Sequence, residues 1–569
     1  MTSTIEEEFE LVIIGGGPTG LLCALLARQF GISVSLIDAK QSTLEAGRAD
    51  GLNARTQEYL GVSGTLDSLR PNGIVCNTRT TASSTFANGD FQSRQSDWWT
   101  SLEHCLHKNM LIIGQPEVEK TLLAQLKTCR RNYEIPGLAI HFGHHATSIV
   151  EDGEGVTVLS EGVNEYGVWS EITTRAQFAI GADGARSMVR PRVGIRFEGT
   201  QPQMVWAVLD TFLDTDFPVC PEIISLQLDG QCRVLWIPRE RGMARFYIRL
   251  LEGETVTQAA AEATIRKHMA PYRVDFLRTE WFSTFEVKER VASEFVSLDG
   301  KGRVFLAGDA AHCHSVNGAQ GLNTGVADAF GLVWRVAHVI GWMRDGGPDR
   351  NAPDHKCSMI LKSYNTERRA VAQNAVGVAA QLVRDTRHDA RQYVETIEKN
   401  AGYITGEFVS PHERDGCGLR RTGISSGGRV GAWHLEGWPT LPRPGDAVVR
   451  PATPGLELDN CRLYGLARKF YYGLFLLLVI GHQSHAAPDL QQQFSWIANT
   501  VTLVCSGAVP SLTVPSKLSG LPYAGDWSFV TDVVGPDDSF IVVVRPDLYI
   551  GYVGDKDGLL SYMGTMGFA

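Results

Sequence analysis

A glycine-rich loop between a short apolar strand and a helix constrains the fold of this chain more than any other sequence feature. Residues 9–14 form a short apolar run, typical of a buried parallel strand, and lead directly into a G-x-G-x-x-G loop at residues 15–20. Residues 21–30 then carry a helical pattern that ends at Gly31, a natural helix C-cap. This order predicts a strand, a tight turn and a helix in immediate succession.

The loop matches a dinucleotide-binding turn. Gly15 makes the tight turn, Gly17 lets the backbone approach the pyrophosphate, and Gly20 lets the helix and the strand pack closely. The N-terminus of the helix offers N–H groups to the phosphates. A second strand at residues 34–37 ends on Asp38, which is placed to accept hydrogen bonds from the adenosine ribose. The motif predicts a dinucleotide site without distinguishing FAD from NAD.

Two later segments repeat the pattern of an apolar strand that runs into a turn with an aspartate, and they contain Asp183-Gly184 and Gly308-Asp309. With the first loop they resemble, in order and spacing, the flavoprotein hydroxylases of the p-hydroxybenzoate hydroxylase type. The resemblance implies FAD as the cofactor, with Asp309 binding its ribityl chain and Asp183 touching both FAD and the path of NAD(P)H. A carboxylate accepts hydrogen bonds from such hydroxyls, and glycines let the backbone close on a flat ring.

The resemblance continues in two further segments. Gln115, which precedes a leucine-bearing helix, stands where the family keeps a flavin-contacting glutamine. Residues from 318 onward open a helix that runs to about Met343, and its N-terminus would face the pyrimidine end of the flavin, where negative charge accumulates on reduction. One departure is Val316, which stands where relatives usually have a proline beside the flavin. The cofactor residues implied here are Gln320, Gly321, Leu322 and Asn323.

Within this family the chain most closely resembles the phenol 2-monooxygenase branch. The segment that contains Arg48 and Asp50 resembles one whose aspartate faces the substrate phenol, and the resemblance assigns Arg48 to the cofactor site. A later strand pair resembles one that carries an arginine and a tyrosine, here Arg239 and Tyr247, near the substrate and the flavin. These residues define a predicted substrate site.

The predicted roles follow from the chemistry of phenols. Asp50 would take the phenolic proton, because a phenolate ring is a better nucleophile than a phenol. Tyr247 would hydrogen-bond the substrate oxygen or the flavin, and Arg239 would stabilise anionic character on Tyr247 or its neighbours. Simpler interpretations stay open: Asp50 as a turn residue, Arg239 as an exposed charge at a strand end, and Tyr247 as a packing residue.

The motifs predict an α/β fold with a discontinuous, Rossmann-like FAD-binding domain of the p-hydroxybenzoate hydroxylase fold. The run from Leu361 to Arg369 resembles the family's helix after the flavin domain and predicts a structural role. The C-terminal segment lacks a C-x-x-C pair, so a structural or dimer-forming role is favoured there over a redox role. The predicted domains are FAD-binding at 1–195 and 285–400 with a helical extension, a mixed-sheet substrate domain at 196–284, a linker at 401–445 and a thioredoxin-like domain at 446–569.

Composition limits the partners and the location. A net charge of −10 and a pI near 5.9 argue against a nucleic-acid or anionic-membrane partner. The longest strongly apolar run, residues 470–481, is shorter than the roughly 20 residues of a membrane span and predicts a buried strand. The N-terminus lacks signal-peptide features, and 11 scattered cysteines fit reduced thiols. We therefore expect a cytoplasmic protein, and no metal site is predicted.

The resemblance implies a single-component monooxygenase. NADPH, or NADH, would reduce FAD, O2 would add to form a flavin C4a-hydroperoxide, and a phenolic ring would be hydroxylated; the substrate is expected to be a small aromatic compound or a phenolic polyketide. Because one fold supports many reactions, oxidative dearomatisation, Baeyer–Villiger oxidation and epoxidation of a phenolic polyketide stay open as alternatives. A non-catalytic flavoprotein that serves as a sensor is the second alternative.

Overall fold

A computed structural model defines the fold. It describes the following residues: 3–76, 83–95, 107, 109–129, 137–163, 167–202, 204–218, 223–228, 231–251, 253–254, 257–315, 319–344, 355–385, 450–451, 475–480, 487–494, 498–506, 509–513, 525–526, 540–547 and 550–565. Within these ranges, no helix combines the length and the apolar character needed to cross a membrane.

The helices and short helical turns are α1 (Pro18–Gln29), α2 (Ala54–Val62), α3 (Leu66–Leu69), α4 (Gln115–Thr128), α5 (Val189–Arg192), α6 (Gln258–Met269), α7 (Ser297–Gly300), α8 (Gln320–Arg344), α9 (His355–Asp385), α10 (Ala487–Phe494) and α11 (Lys556–Thr565). The strands are β1 (Ser3–Ile14), β2 (Val34–Asp38), β3 (Gly51–Leu52), β4 (Ile74–Cys76), β5 (Ser83–Ala87), β6 (Asp90–Gln95), β7 (Met110–Ile112), β8 (Leu138–Phe142), β9 (His144–Glu151), β10 (Val156–Val163), β11 (Trp169–Gly181), β12 (Phe197–Thr200), β13 (Val205–Thr215), β14 (Ile223–Leu228), β15 (Gln231–Arg239), β16 (Met243–Arg249), β17 (Val274–Glu286), β18 (Glu289–Ala292), β19 (Val304–Leu306), β20 (His312–Cys313), β21 (Arg450–Pro451), β22 (Phe475–Ile480), β23 (Ala498–Ser506), β24 (Val509–Thr513), β25 (Gly525–Asp526), β26 (Phe540–Val544) and β27 (Ile550–Gly554).

The first sheet places the three predicted cofactor motifs at one edge. Its strand order is β8-β2-β1-β11-β10-β9, and β19 pairs with β11. β1, β11 and β19 run parallel to one another, with Ile14 beside Gly181 and Gly181 beside Leu306. The loops that begin at Gly15, Ala182 and Ala307 therefore leave the sheet side by side, where open α/β sheets bind their ligands. The predicted strand, turn and helix of the first loop are confirmed.

The core of this part of the protein lies between the first sheet and its helices. The end of β1, from Leu11 to Ile14, is almost fully buried, as is most of α1. α1 packs against α8 and α4, and it begins with Pro18 in its first turn and is followed by Gly31 at φ 78°, both common at such positions. α8 is buried along most of its length, so it is a central helix and not a surface helix.

The second sheet has the order β17-β13-β16-β15-β14-β5-β6. Its pairs are antiparallel except for β14 and β5, which run parallel. This is the mixed sheet predicted for the stretch after residue 195. Residues 83–95 were expected within the flavin-binding part, but the parallel pairing of β5 with β14 adds β5 and β6 to this second sheet instead.

Strand alternation gives the second sheet two different faces. One face packs against α6 and is apolar, with Phe246 and Trp236 in its core. The other face carries polar side chains on β13, β15 and β16, among them Asp210, Arg239 and Tyr247. Because these side chains share the face opposite α6, the register of three strands gathers them into one cluster.

The C-terminal strands form a separate mixed sheet in the order β24-β23-β22-β26-β27. β22 runs parallel to β23 and antiparallel to β26, and α10 lies between β22 and β23 in the chain. The buried strand predicted near residues 470–481 and the α/β character of this segment are confirmed. Its thioredoxin-like character stays a prediction, and residues 401–445, the predicted linker, lie outside the described residues.

A buried ionic cluster joins the C-terminal segment to α8 and α9. Both terminal nitrogens of Arg545 donate to the Glu367 carboxylate, at 2.8 and 2.7 Å. Arg335 Nη2 donates to Glu367 Oε2 at 2.7 Å, and Trp334 Nε1 donates to Asp547 Oδ2 at 3.0 Å. All five side chains are buried. Two carboxylates and two guanidinium groups thus compensate one another inside the protein.

Removal of Arg545 should destabilise the protein strongly. In Arg545→Leu the carboxylates of Glu367 and Asp547 stay buried with one counter-charge fewer, so the free energy of unfolding should fall by about 3–5 kcal/mol. Chemical unfolding followed by circular dichroism measures this change. As a control, Arg196→Leu removes an exposed ion pair with Glu198 and should cost less than about 1 kcal/mol. Equal stability of the two variants would contradict the role of the cluster.

Candidate active site

The first loop is shaped by two glycines that cannot be replaced and one that leaves room. A Cβ on Gly15, which has φ 109°, would lie 2.2 Å from the carbonyl oxygen of Ala182, and a Cβ on Gly20 would lie 1.8 Å from the carbonyl oxygen of Gly15. Apart from Gly17 and its two chain neighbours, no described residue has a heavy atom within 4 Å of a Cβ on Gly17. Gly17 is the N-cap of α1, so this room lies where a pyrophosphate meets the helix N-terminus.

Asp38 stands at the end of β2 and holds the loop. Its Oδ2 accepts a hydrogen bond from the backbone N–H of Gly16, and its Oδ1 accepts one from the backbone N–H of Lys40 at 2.7 Å. A carboxylate has further lone pairs, so these bonds leave acceptor capacity for ribose hydroxyls. The ribose contact of Asp38 stays a prediction.

Gln115 and Glu119, one turn apart on α4, hold the segment that leads to Asp50. Gln115 Oε1 accepts from the backbone N–H of Ala49 at 3.3 Å, and the Gln115 backbone N–H donates to the Ala49 carbonyl at 2.8 Å. Glu119 is fully buried and accepts from Gln115 Nε2 at 2.9 Å and from the backbone N–H of Leu44 at 2.8 Å. Glu119 was not among the predicted site residues, although its spacing of four residues from Gln115 places both on one helix face.

Asp309 lies in the third loop with its side chain exposed to solvent. Gly308 adopts φ 62°, and the Asp309 side chain that follows is exposed to solvent. Protein atoms nevertheless surround it closely enough that desolvation raises the pKa of its carboxyl, against the charges of His312 and Arg48. Arg48 has φ 66° and an exposed side chain. An accessible carboxylate can accept hydrogen bonds from hydroxyl groups, and the ribityl contact of Asp309 stays a prediction.

The two carboxylate oxygens of Asp183 differ in their hydrogen bonds. Oδ2 accepts hydrogen bonds from the backbone N–H groups of Met188 and Val189, at 2.7 and 3.1 Å. Oδ1 is buried and has no hydrogen-bond partner among the described residues. A buried acceptor without a partner is costly, so a bound hydroxyl or amide would satisfy Asp183 Oδ1. This observation, with those on Gly17 and Asp309, fits a dinucleotide such as FAD.

The start of α8 is held against the segment after Asp50. Gln320 is buried, and Gly321 and Leu322 are partly buried in the first turn. Asn323 Oδ1 accepts from the backbone N–H of Asn53 at 3.0 Å, and its Nδ2 donates to the carbonyl of Gly51 at 3.0 Å. The cofactor contacts expected for these four residues stay a prediction. Val316, the predicted departure from the family pattern, lies outside the described residues.

Asp50 and Tyr247 meet in a buried cluster. Tyr247 Oη donates to Asp50 Oδ2 at 3.2 Å, and Arg245 Nη1 lies 3.2 Å from Tyr247 Oη and 3.3 Å from Asp50 Oδ2. The Nε and Nη2 atoms of Arg245 donate to the two oxygens of Asp210, each at 2.6 Å. All four residues are at most 7% exposed. The simpler readings of Asp50 as a turn residue and of Tyr247 as a packing residue do not account for these bonds.

Burial and charge set the protonation states in this cluster. Burial and the charge of Asp50 raise the pKa of the Tyr247 hydroxyl, against the opposing charge of Arg245. Burial favours loss of the Arg245 proton, but Tyr247, Asp50 and Asp210 outweigh it and raise the pKa of the guanidinium well above its usual value. Tyr247 therefore acts as a hydrogen-bond donor, and Arg245 is a permanent cation.

Arg239 pairs with acidic neighbours of Tyr247 and not with Tyr247 itself. Its Nε and Nη2 donate to Glu240 at 2.9 and 2.7 Å, and its Nη1 donates to Asp210 at 3.3 Å, whereas Tyr247 is bonded by Arg245. Stabilisation of anionic character by Arg239 stays a prediction, whereas the interpretation as an exposed strand-end charge is wrong, because Arg239 is 2% exposed. Arg245 was missed as a site residue, although it stands two residues before Tyr247 and therefore on the same face of β16.

Comparison with known proteins now adds to this geometry. The family described as "FAD binding domain" matches residues 8–379. The chain belongs to this family. FAD is therefore its cofactor, and the residues around the three loops fit that cofactor.

Curated relatives carry the names of aromatic hydroxylases. Phenol 2-monooxygenase fsqG of Aspergillus fumigatus is 27% identical over 423 residues, which cover 71% of this chain and 66% of that protein. 3-Hydroxybenzoate 4-monooxygenase of Comamonas testosteroni is 27% identical over 634 residues, which cover 99% of this chain and 95% of that protein. The chain thus spans about two thirds of the first relative and nearly all of the second.

Solved structures of similar fold align with nearly all of the sequence. OxyS anhydrotetracycline hydroxylase from Streptomyces rimosus is 22% identical, with a TM-score of 0.65 and coverage of 98% of this chain and 99% of that chain. A ternary complex of aklavinone-11 hydroxylase with FAD and aklavinone is 20% identical, with a TM-score of 0.66 and coverage of 99% of each chain. At such identities the likeness establishes the fold, which confirms the predicted p-hydroxybenzoate hydroxylase-type architecture.

Gly17→Ala tests the first loop. The added methyl group meets no described protein atom within 4 Å, so the apoprotein should keep its Tm. It would enter the space assigned to the pyrophosphate, so the Kd for FAD should rise by about tenfold or more. Titration of the apoprotein with FAD, followed by flavin fluorescence, measures this Kd. Gly153→Ala, in an exposed turn with the same free space, serves as the control, and an unchanged Kd in Gly17→Ala would refute the assignment.

Proposed function

We propose that this protein is an FAD-dependent monooxygenase that uses NAD(P)H and O2 to hydroxylate a small aromatic substrate bearing a phenolic hydroxyl. The observation that carries the proposal is the buried contact between the Asp50 carboxylate and the Tyr247 hydroxyl at 3.2 Å. Asp50 belongs to the segment that Gln115 holds at Ala49 and Asn323 holds at Gly51. The names of the relatives, which include a phenol and a hydroxybenzoate monooxygenase, support the same substrate class.

The cofactor and the protein divide the chemistry. Bound FAD, with electrons from NAD(P)H, supplies an activated oxygen atom. Overall, one ring C–H becomes C–OH, NAD(P)H is oxidised, and the second oxygen atom of O2 leaves as water. The protein must bind the ring, raise its electron density and exclude water. The polar cluster of the second sheet is suited to the first two tasks, and its burial serves the third.

Asp50 is proposed to move the phenolic proton. A phenol that enters the cluster would donate its O–H to the Asp50 carboxylate, and removal of that proton would make the ring electron-rich. Tyr247, which stays protonated, would donate a hydrogen bond to the phenolate oxygen. Arg245 would stabilise the negative charge on the phenolate oxygen, and its two bonds to Asp210 hold its guanidinium in place.

Substrate-dependent NADPH consumption tests the proposal. The FAD-loaded protein is assayed in air with NADPH or NADH against phenols, phenolic polyketides and the methyl ether of each compound, with product masses recorded. We expect consumption stimulated by one phenol but not by its ether, and a product heavier by one oxygen that keeps its aromatic spectrum. One added oxygen with loss of that spectrum would indicate dearomatisation, ring expansion or epoxidation instead. No stimulation by any compound would favour a non-catalytic flavoprotein.

Asp50→Asn isolates the proposed base. The variant keeps the shape of the side chain but cannot accept the phenolic proton, so kcat/KM for the active phenol should fall by about 100-fold or more. The visible spectrum and the Kd of bound FAD should not change. Asp67→Asn, at an exposed position on α3, is the control. Full activity of Asp50→Asn would remove Asp50 from the mechanism.

Tyr247→Phe should lower kcat/KM by a factor that does not vary with pH. Because burial holds the pKa of Tyr247 above its usual value, the hydroxyl stays a donor from about pH 6 to about pH 9.5, below the ordinary tyrosine pKa of about 10. Loss of this donor should reduce kcat/KM by roughly tenfold across that range. The ratio of the two pH profiles gives the result. A ratio that declines with a midpoint below about pH 9 would mean that Tyr247 ionises during catalysis.

We also propose that the protein is cytoplasmic and that it forms a homodimer. Cys23 and Cys313 are buried as thiols, and burial raises the pKa of both, which fits a protein kept in a reducing compartment. Cell fractionation and light scattering of the purified protein address the two points separately.

A further inference from the structure

The run from Leu361 to Arg369, to which only a structural role was assigned, lies in α9 next to the cofactor edge. α9 packs against α8 and β18. Three polar residues of this run, Tyr364, Glu367 and Arg368, are buried at 0–3% exposure. Because burial of polar and charged groups is costly unless each is bonded, their partners indicate what the run does.

Arg368 reaches the third cofactor loop through one carboxylate. Arg368 Nε donates to Asp328 Oδ1 at 2.7 Å, and Asp328 Oδ2 accepts from the backbone N–H of Gly308 at 2.9 Å. Asp328, on α8, is fully buried. The residue that follows Gly308 is Asp309, the predicted ligand of the ribityl chain. Asp328 therefore anchors the backbone amide one residue before that ligand.

The same carboxylate also holds the far end of the turn. Asp328 Oδ2 accepts from His312 Nε2 at 2.7 Å, and the Ala311 backbone N–H donates to the Gly308 carbonyl at 2.8 Å. Burial disfavours the charge on Asp328, but Arg368 and His312 outweigh it and lower the pKa of the carboxyl. Asp328 thus stays an anion that spans the turn from Gly308 to His312.

Tyr364 fixes the strand that enters the turn. Its hydroxyl donates to the carbonyl of Leu306, the last residue of β19, at 2.8 Å. The turn has little space to move in, because a Cβ on Gly308 would lie 2.7 Å from Thr19 Oγ1 of the first loop. α9 therefore fixes two points: Tyr364 binds the strand residue Leu306 directly before the turn, and Arg368, through Asp328, fixes Gly308 in the turn itself.

We propose that Asp328, oriented by Arg368, is a positioning residue of the FAD site that sets the Gly308–Asp309 turn so that the Asp309 carboxylate meets the cofactor. Asp328 acts through Asp309 rather than by its own contact with FAD. The proposal goes beyond the monooxygenase function: it concerns FAD binding alone and can be tested without any substrate, so its failure is distinct from failure of the proposed reaction.

Asp328→Asn tests the proposal by FAD binding. The variant keeps the size of the side chain, removes the counter-charge of Arg368 and turns one acceptor into a donor, so the turn should shift. The Kd of the apoprotein for FAD, from fluorescence titration, should rise by about tenfold or more, and the visible circular dichroism of bound FAD should change. A Kd within about twofold of the wild-type value would overturn the proposal.

Glu367→Gln is the matched control. Glu367 is a buried carboxylate one residue from Arg368, but its oxygens bind Arg335 and Arg545. If loss of a buried carboxylate were by itself enough to weaken FAD binding, Asp328→Asn and Glu367→Gln would lower the Tm and raise the Kd for FAD alike. We expect both to lower the Tm, with the Kd for FAD changed in Asp328→Asn only. An equal change in Kd would overturn the positioning role.

A double-mutant cycle with Asp309→Ala gives the decisive readout. If Asp328 acts through Asp309, Asp328→Asn should raise the Kd by less than about twofold once Asp309 is already alanine. Additive effects in the cycle would mean that Asp328 supports FAD binding by another route and would overturn the proposal. If Asp328→Asn does not fold, Arg368→Lys, which keeps the charge, replaces it in the same cycle with an expected rise of about threefold or more.

Discussion

The parallel pairing of β1, β11 and β19 is the constraint on which the rest of this structure depends. It brings Ile14, Gly181 and Leu306 into register, so three loops that are far apart in the chain leave the sheet together. Such an arrangement tolerates very little side-chain volume, which explains the close approach of Gly15 to Ala182 and of Gly20 to Gly15. In the first loop, Gly15 and Gly20 serve the packing of protein against protein, whereas Gly17 faces free space.

The cluster proposed to bind the substrate depends on a different principle, the pairing of buried charges of opposite sign. Asp210 lies at its centre and accepts from both Arg245 and Arg239. Displacement of either guanidinium would leave Asp210 with one counter-charge fewer in a buried place, which is unfavourable. Asp50 and Tyr247 are therefore held at their positions by groups that do not need to touch the substrate themselves.

Features formed by residues close together in the sequence were predictable, whereas contacts between residues far apart in the sequence were not. The three loops were predicted because strand, turn and acid follow one another within a few residues. The partner of Arg245 could not be predicted in this way, because Asp210 is 35 positions earlier and meets Arg245 only through the register of β13 and β16. The same limit explains the misplacement of residues 83–95, whose pairing with β14 is parallel and spans a long stretch of chain. Arg245 was not predicted as the direct hydrogen-bond partner of Tyr247, although it stands two residues earlier on the same face of β16.

The segment from Arg48 to Asn53 connects the two sites physically. At one end, the positive charge of Arg48 favours the ionised form of Asp309, and the backbone carbonyl of Arg48 accepts a hydrogen bond from Arg245. At the other end, Asn323 at the start of α8 binds the backbone of Gly51 and Asn53. Asp50 lies between these attachments. Its position is therefore set jointly by the cofactor loops and by the substrate sheet, and a displacement of either would move the proposed base relative to the ring it is meant to deprotonate.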